Sequence, residues 1–217
     1  MKLVATHSYS TGARVLFCSL VLGLSGCSAL QPKARAMVYD FGPGPVSTVA
    51  TTRMAPMPTL VLADAEASAA LDSSAVLYRL TYSDAQQLRP YTLARWSMTP
   101  AQLLQQRLRE HLGQSRPVLN AALGLAADKP AMVLHLELDE FSQLFETAQR
   151  SSGLLRLRAT LGKTGQGAER LVAQRSFVVQ RPAASADAAG GVRALTEATD
   201  AAIAEIDLWV QQVEQAQ

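Results

Sequence analysis

Met132-Val133-Leu134-His135-Leu136-Glu137-Leu138-Asp139 alternates apolar and mostly polar residues over eight positions. Leu155-Arg156-Leu157-Arg158-Ala159-Thr160-Leu161 repeats the alternation, and Glu169–Gln180 forms a third run that Pro182 ends. A period of two is the period of a strand, because successive side chains leave opposite faces of the pleat. The run Gly162-Lys163-Thr164-Gly165-Gln166-Gly167 supplies a turn between the second and third segments. The pattern predicts an antiparallel meander with one apolar and one solvated face, and the remaining elements must cover the apolar one.

Two helices do so. Thr99 fits an N-cap, Pro100 the first helical position, and Gln102 the third position of a capping box. Leu104, Leu108 and Leu112 then recur every four residues, and Gly113 stops the helix. The second helix is predicted over 187–213, with Val192, Leu195, Thr199, Ala202, Ile203, Ile206, Val210 and Val213 on one stripe and Trp209 beside it. Gly190-Gly191 near its start marks either a late start or a close packing contact, since glycine costs about 1 kcal/mol inside a helix. Upstream, Met37–Phe41, Thr59–Ala63 and Ala75–Tyr82 read as strands, with a further short strand near Tyr91–Ala94. Residues 46–57 read as irregular and 64–73 as a loop. Together these predict an α+β, two-layer fold: an antiparallel-rich β-sheet with two helices packed on one face.

Composition narrows the function. The chain has 217 residues, 48% hydrophobic and 18% charged, enough for one ordinary domain. Its 20 Lys+Arg face 18 Asp+Glu. Lys2 and Arg14 lie in residues 1–26, which hold no acid, so without that segment the count is 18 against 18. A neutral domain gives no compositional support to nucleic-acid binding. The two cysteines, Cys18 and Cys27, both fall in the first 27 residues, so no disulfide framework staples the fold.

Residues 1–26 read as an address. Lys2 and Arg14 form a cationic start, and Val15–Leu24 is an apolar run of ten residues, too short to span a bilayer. Leu24-Ser25-Gly26-Cys27 follows. It resembles the bacterial lipobox, in which small residues admit the signal peptidase and the cysteine sulfur takes the lipid. Later apolar stretches are short and broken by charge, so no membrane-spanning helix is expected. The predicted organisation is a lipoprotein signal peptide over 1–26, acylated Cys27 and a tether over 27–35, and a folded domain over 36–213. Residues 28–35 reach roughly 25 Å when extended. Position 28 is Ser and not the Asp that retains enterobacterial lipoproteins in the inner membrane, which favours the outer membrane and leaves the inner one open.

Catalytic and metal motifs do not emerge. Of three histidines, His7 lies in the signal segment, His111 on the first helix and His135 on a strand's polar face. No zinc-protease or Cys/His pattern occurs, so neither a metal nor a cofactor is expected. Gly162-Lys163-Thr164 lacks the glycine a phosphate loop needs five residues earlier, where Leu157 stands, and it precedes a strand. Glu137, Asp139 and Glu140 could in principle do acid–base work, but Glu137 and Asp139 share a strand face that a solvated surface accounts for. No catalytic residue is assigned.

A set of residues in order carries a resemblance: the lipobox, Tyr39-Asp40-Phe41-Gly42, Leu77-Tyr78-Arg79, Tyr82, Tyr91, Arg95-Trp96 before Thr99-Pro100, Glu140-Phe141, Arg175-Ser176-Phe177, Ala188-Ala189-Gly190-Gly191 and Asp207-Leu208-Trp209-Val210. The chain resembles the ABC-type transport auxiliary lipoprotein family across about 36–213, with Phe41 where an aliphatic residue is commoner. The resemblance implies a non-catalytic periplasmic lipoprotein that docks with an MCE-domain protein and the ABC permease and ATPase of a lipid transport system, itself assembled as a homo-oligomeric ring. Tyr78, Arg79, Tyr82, Tyr91, Arg95 and Trp96 are then either partner-interface or core residues. Two other functions compete: an outer-membrane assembly lipoprotein that partners a β-barrel, and a periplasmic lipid-binding carrier.

Overall fold

The computed structural model describes residues 34–44, 57–120, 130–165 and 168–217. The signal segment, the lipobox with Cys27, most of the tether and nearly all of the irregular stretch lie outside these residues. The chain divides into two units, 1–35 and 36–217, and every described element belongs to the second. In chain order these are β1 (Met37–Tyr39), β2 (Leu60–Leu62), β3 (Glu66–Ala67), β4 (Ala75–Leu80), β5 (Asp84–Trp96), α1 (Pro100–Leu112), β6 (Val118–Asn120), β7 (Met132–Phe145), β8 (Ser151–Lys163), β9 (Arg170–Pro182) and α2 (Ala188–Gln215).

Strand β7 organises the sheet. Along one whole edge it pairs antiparallel with β8, from Met132 opposite Lys163 to Phe145 opposite Ser151. Strand β8 pairs antiparallel with β9, which completes the expected meander. The other edge of β7 is shared end to end: β2 lies beside Met132–Leu134, β3 beside Glu137 and Leu138, and β4 beside Gln143–Phe145, all parallel. Beyond β4 come β5, antiparallel, and β1, parallel to β5; beyond β2 comes β6, also parallel. The sheet is therefore mixed, with its longest ladders antiparallel. Strands of two and three residues carry no period from which direction can be read, so sequence pattern alone leaves these parallel joins unspecified.

Three elements differ from expectation, one of them β6, where the sequence reading places no strand. The loop expected over 64–73 contains β3, whose two residues are held by β7 alone. The short strand expected near Tyr91–Ala94 is thirteen residues long. Its first four residues, Asp84-Ala85-Gln86-Gln87, are exposed and lack apolar alternation, so pairing and not pattern makes them part of the strand. The register of β4 on β5 shifts twice, around Arg89–Asp84 and around Arg95–Pro90. Such irregularities accommodate Pro90, which has no N–H to give a ladder.

Both helices begin as their caps dictate. Thr99 and Gln102 form a reciprocal capping box, and the Asp187 carboxylate accepts from the Gly190 N–H at 2.7 Å. Leu104, Leu108 and Leu112 of α1 are buried with Leu195, Ala202, Ile203, Ile206 and Val210 of α2 and with Leu134, Leu136, Leu155, Leu157 and Leu161 of the sheet, in one cluster. Each fully buried leucine contributes about 2 kcal/mol of transfer free energy. A small second cluster of Val61, Ala63 and Val133 lies apart from it.

Gly190-Gly191 resolves as a packing contact, since α2 starts at Ala188. A Cβ on Gly191 would overlap the Gln143 side chain, and one on Gly190 would overlap Ser185. Across the same contact, a Cβ on Gly153 of β8 would stand 2.6 Å from the Leu195 nitrogen and 2.7 Å from the Ala194 carbonyl carbon. Helix α2 thus lies directly on the sheet's backbone at its N-terminal half.

Candidate functional site

The six residues singled out on β4 and β5 do not form one surface. Trp96 is 2% exposed and packs edge-on to Phe41, centroids 5.6 Å apart, with Phe141 at the same distance. Tyr78 and Tyr91 stack with centroids 4.6 Å apart, half-buried. The Tyr91 hydroxyl donates to Gln143 Oε1 at 2.9 Å, and Gln143 Nε2 donates to Ser151 Oγ at 2.7 Å. Burial, followed by the neighbouring Tyr78 and Asp187, pushes the Tyr91 phenol well above its ordinary range. Arg79 leaves the opposite face of β4 from Tyr78. Its Nε and Nη2 bond the two Glu140 oxygens at 3.2 and 2.9 Å, and its Nη1 donates to the Ala85 and Gln86 carbonyls. Only Tyr82, between β4 and β5, and Arg95 reach solvent freely.

The carboxylates Glu137, Asp139 and Glu140 are dispersed. Between Leu138 and Glu140 the β7–β8 register slips by one, which leaves Asp139 unpaired as a bulge. Glu137 stays on the outer face in an exposed pair with Arg158 at 2.9 Å, while Glu140 is held by Arg79. His135 sits 2.8 Å from Glu169, also on the outside. Among the described residues no group of three or more His, Cys, Asp or Glu is placed to hold a metal ion.

Sequence reasoning passed over an ionic seam that joins α1 and the turn after it to α2. Arg107 Nε and Nη2 bond both Asp200 oxygens at 2.8 and 3.0 Å, His111 lies 3.2 Å from Asp207, and Arg116 bonds Glu214 at 2.6 Å. The signal was present: acids recur every seventh residue on α2, which keeps them on nearly one line of a helix. Asp200 and the Gly42 carbonyl already engage the Arg107 guanidinium, although clefts of about 190 and 320 Å³ open on either side of it. A cation so occupied offers little to a ligand.

A more open feature lies at the β1 edge. Met37 and Val38 are 56% and 66% exposed, and the neighbouring Leu93 and Met98 are also exposed. Arg95, opposite Val38 in the register, is exposed too, but alternation puts it with Val38 and Leu93 on one face and leaves Met37 and Met98 on the helix side, so no contiguous apolar patch forms. No helix among the described residues is long and apolar enough to cross a membrane.

Comparison with known proteins assigns the family. Residues 39–207 match the family described as the ABC-type transport auxiliary lipoprotein component. No curated protein matches. Three solved structures share the fold. A Xanthomonas campestris protein is 18% identical, with a TM-score of 0.61 over 86% of this chain and 91% of that one. An uncharacterized protein is 14% identical, with a TM-score of 0.58 over 81% and 99%. A hypothetical protein of Chlamydia trachomatis is 11% identical, with a TM-score of 0.51 over 74% and 99%. With most of its folded unit matched, from β1 to the last turns of α2, this chain belongs to the ABC-type transport auxiliary lipoprotein family.

Proposed function

We propose that this protein is a lipid-anchored, non-catalytic docking component of an ABC-type lipid transport system, working with an MCE-domain protein and an ABC permease and ATPase. The observation that carries the reading is the family match over 39–207, downstream of Leu24-Ser25-Gly26-Cys27. Cys27 is the acylated residue, and two or more acyl chains make attachment durable. Ser28 favours the periplasmic face of the outer membrane. Several copies forming a ring would present a continuous collar to the MCE partner. The charged groups best placed for chemistry support a binding role, because Arg79, Glu140, Arg107 and Asp200 are engaged with one another.

The test is an affinity capture of the acylated protein from gently solubilised envelopes, with mass spectrometry of what accompanies it. Recovery of an MCE-domain protein and its permease is the expected result. A β-barrel recovered without them replaces the transport reading with that of an assembly lipoprotein.

A further inference from the structure

We infer that the free edge of β9 receives an extended, acidic segment of a partner protein, which adds to the sheet as a further strand. The inference goes beyond the transport reading and stands on the geometry of the edge alone.

Three strands end the sheet among the described residues, and they differ in length. Strands β1 and β6 have three residues each, whereas β9 has thirteen. A long edge of unpaired peptide groups is a template for another strand, and proteins ordinarily shorten or cover it. The register shows which groups are free. The Ala183 N–H donates to the Ser151 carbonyl at 2.8 Å, and the pairing runs without a shift from Ser152 opposite Pro182 to Leu161 opposite Ala173. Bonded pairs alternate along an antiparallel ladder, so the odd-numbered residues of this stretch bond β8 and the even-numbered ones turn their N–H and C=O outward. Pro182 falls at an outward position, where its missing N–H costs the ladder nothing. The Gln180 carbonyl accepts from Arg181 Nη1 at 3.1 Å. Gln174, Ser176 and Val178 keep both peptide groups free of backbone partners among the described residues, and their side chains are exposed.

Charge selects the occupant. Strand β9 contains Arg170, Arg175 and Arg181 and no acid, and none of the three is in an ion pair among the described residues. Arg156, opposite Val178 on β8, is exposed and likewise in no ion pair. Arg175 lies over the Phe177 ring, 4.9 Å from its centroid. Like charges across a strand pair are destabilising, and a second copy joined through β9 would bring two sets of these arginines together without an acid. An acidic strand meets the opposite situation. Its best match places acids opposite Arg175 and Arg181, which share one face and lie about 20 Å apart along the strand. Midway between them, on the other face, an apolar residue meets Val178, which is 60% exposed. This spacing reads the same in either strand direction. Backbone bonds then supply affinity, and the alternate side chains supply specificity.

The probe is a synthetic peptide, Thr-Glu-Thr-Thr-Val-Thr-Thr-Glu-Thr, added to the full chain in detergent micelles and followed by hydrogen–deuterium exchange with mass spectrometry. The expected result is saturable binding with slowed exchange in β9. The same peptide with lysine in place of glutamate is expected not to bind. Val178→Pro removes an outward N–H and leaves the β8 ladder whole, so it is expected to abolish binding with the melting transition retained. Arg175→Glu combined with Arg181→Glu is expected to weaken the acidic peptide about tenfold and to admit the lysine peptide. This pair carries the test if the proline variant melts early. Unchanged exchange in β9 at millimolar peptide overturns the inference, as does equal binding of the two peptides. Exchange in β9 that is slow before peptide is added and quickens on dilution also overturns it, because a second copy then holds the edge.

Discussion

Gly153 shows how much one missing carbon decides. The atoms that a new Cβ would meet belong to the α2 backbone, at 2.6 and 2.7 Å, and a helix backbone cannot step aside as a side chain can. Gly153→Ala is expected to destabilise by about 1–3 kcal/mol, the usual cost of overpacking. Gly165→Ala, with nothing within 4 Å, is expected to leave the melting temperature unchanged. Equal melting temperatures for the two variants would refute the close contact. Opposite Gly153 in the register stands Gln143, whose bond to Tyr91 carries a pH signature. The unfolded chain releases a tyrosine proton near pH ~10, but burial holds the Tyr91 proton above that. The folded state therefore binds more protons over this range. Stability falls as pH rises above the ordinary phenol range, until the folded value is passed. Denaturant titrations across alkaline pH are expected to show a shallower fall for Tyr91→Phe than for the unaltered protein. That variant also loses about 1 kcal/mol at neutral pH with its hydrogen bond.

Among elements, β7 contains the device that joins the two halves of the sheet. Before the bulge, Met132, Leu134, Leu136 and Leu138 face the core; after it, Phe141, Gln143 and Phe145 do. A strand of strict period two cannot present both sets to one side, and leaving Asp139 unpaired resolves the conflict. Deleting Asp139 would leave Leu138, Glu140 and Phe141 in unbroken alternation opposite Leu157, Arg156 and Leu155, with both apolar sets still toward the core, so the deletion variant is expected to fold. Asp139→Ala keeps the residue count and exposes no new surface, and its stability is expected to stay within about 0.5 kcal/mol of the unaltered protein. Circular dichroism and thermal melts of the pair separate a spacing role from a chemical one. The alternation in the sequence locates β7 correctly, and the change of phase at Leu138-Asp139-Glu140-Phe141 is visible in it. Which side each half faces is settled only when β8 and α2 pack against it.

Over the whole molecule, a single apolar cluster spans β4, β5, α1, the meander and α2. The ionic seam from Arg107–Asp200 to Arg116–Glu214 ties α1 and the turn after it to α2. Trp96 on β5 and Trp209 on α2 are the only tryptophans, and they report from different elements of this cluster. One core implies one cooperative transition. Urea unfolding of Trp96→Phe and Trp209→Phe, each read through the remaining tryptophan and through backbone circular dichroism, is expected to show fluorescence and backbone signals that coincide within each variant. Signals that separate would mean that the β1–β5–β4 side and the α2 side unfold independently.

Local order was legible from the residues alone. Alternation located the meander, Thr99-Pro100 and the leucine stripe located α1, and the 3–4 spacing located α2, because strand and helix periods are properties of neighbouring residues. The resemblance carried by short motifs pointed to the family that residues 39–207 then confirmed. What the tertiary structure decided is everything set by partners distant in sequence. The parallel placement of β2, β3 and β4 along one edge of β7 depends on crossover connections that no local period records. The division of Tyr78, Arg79, Tyr82, Tyr91, Arg95 and Trp96 among core, ion pair and solvent depends on which face of β4 and β5 each occupies. A residue type states what a side chain can do, and only the neighbours brought to it by the fold determine which of those things it does.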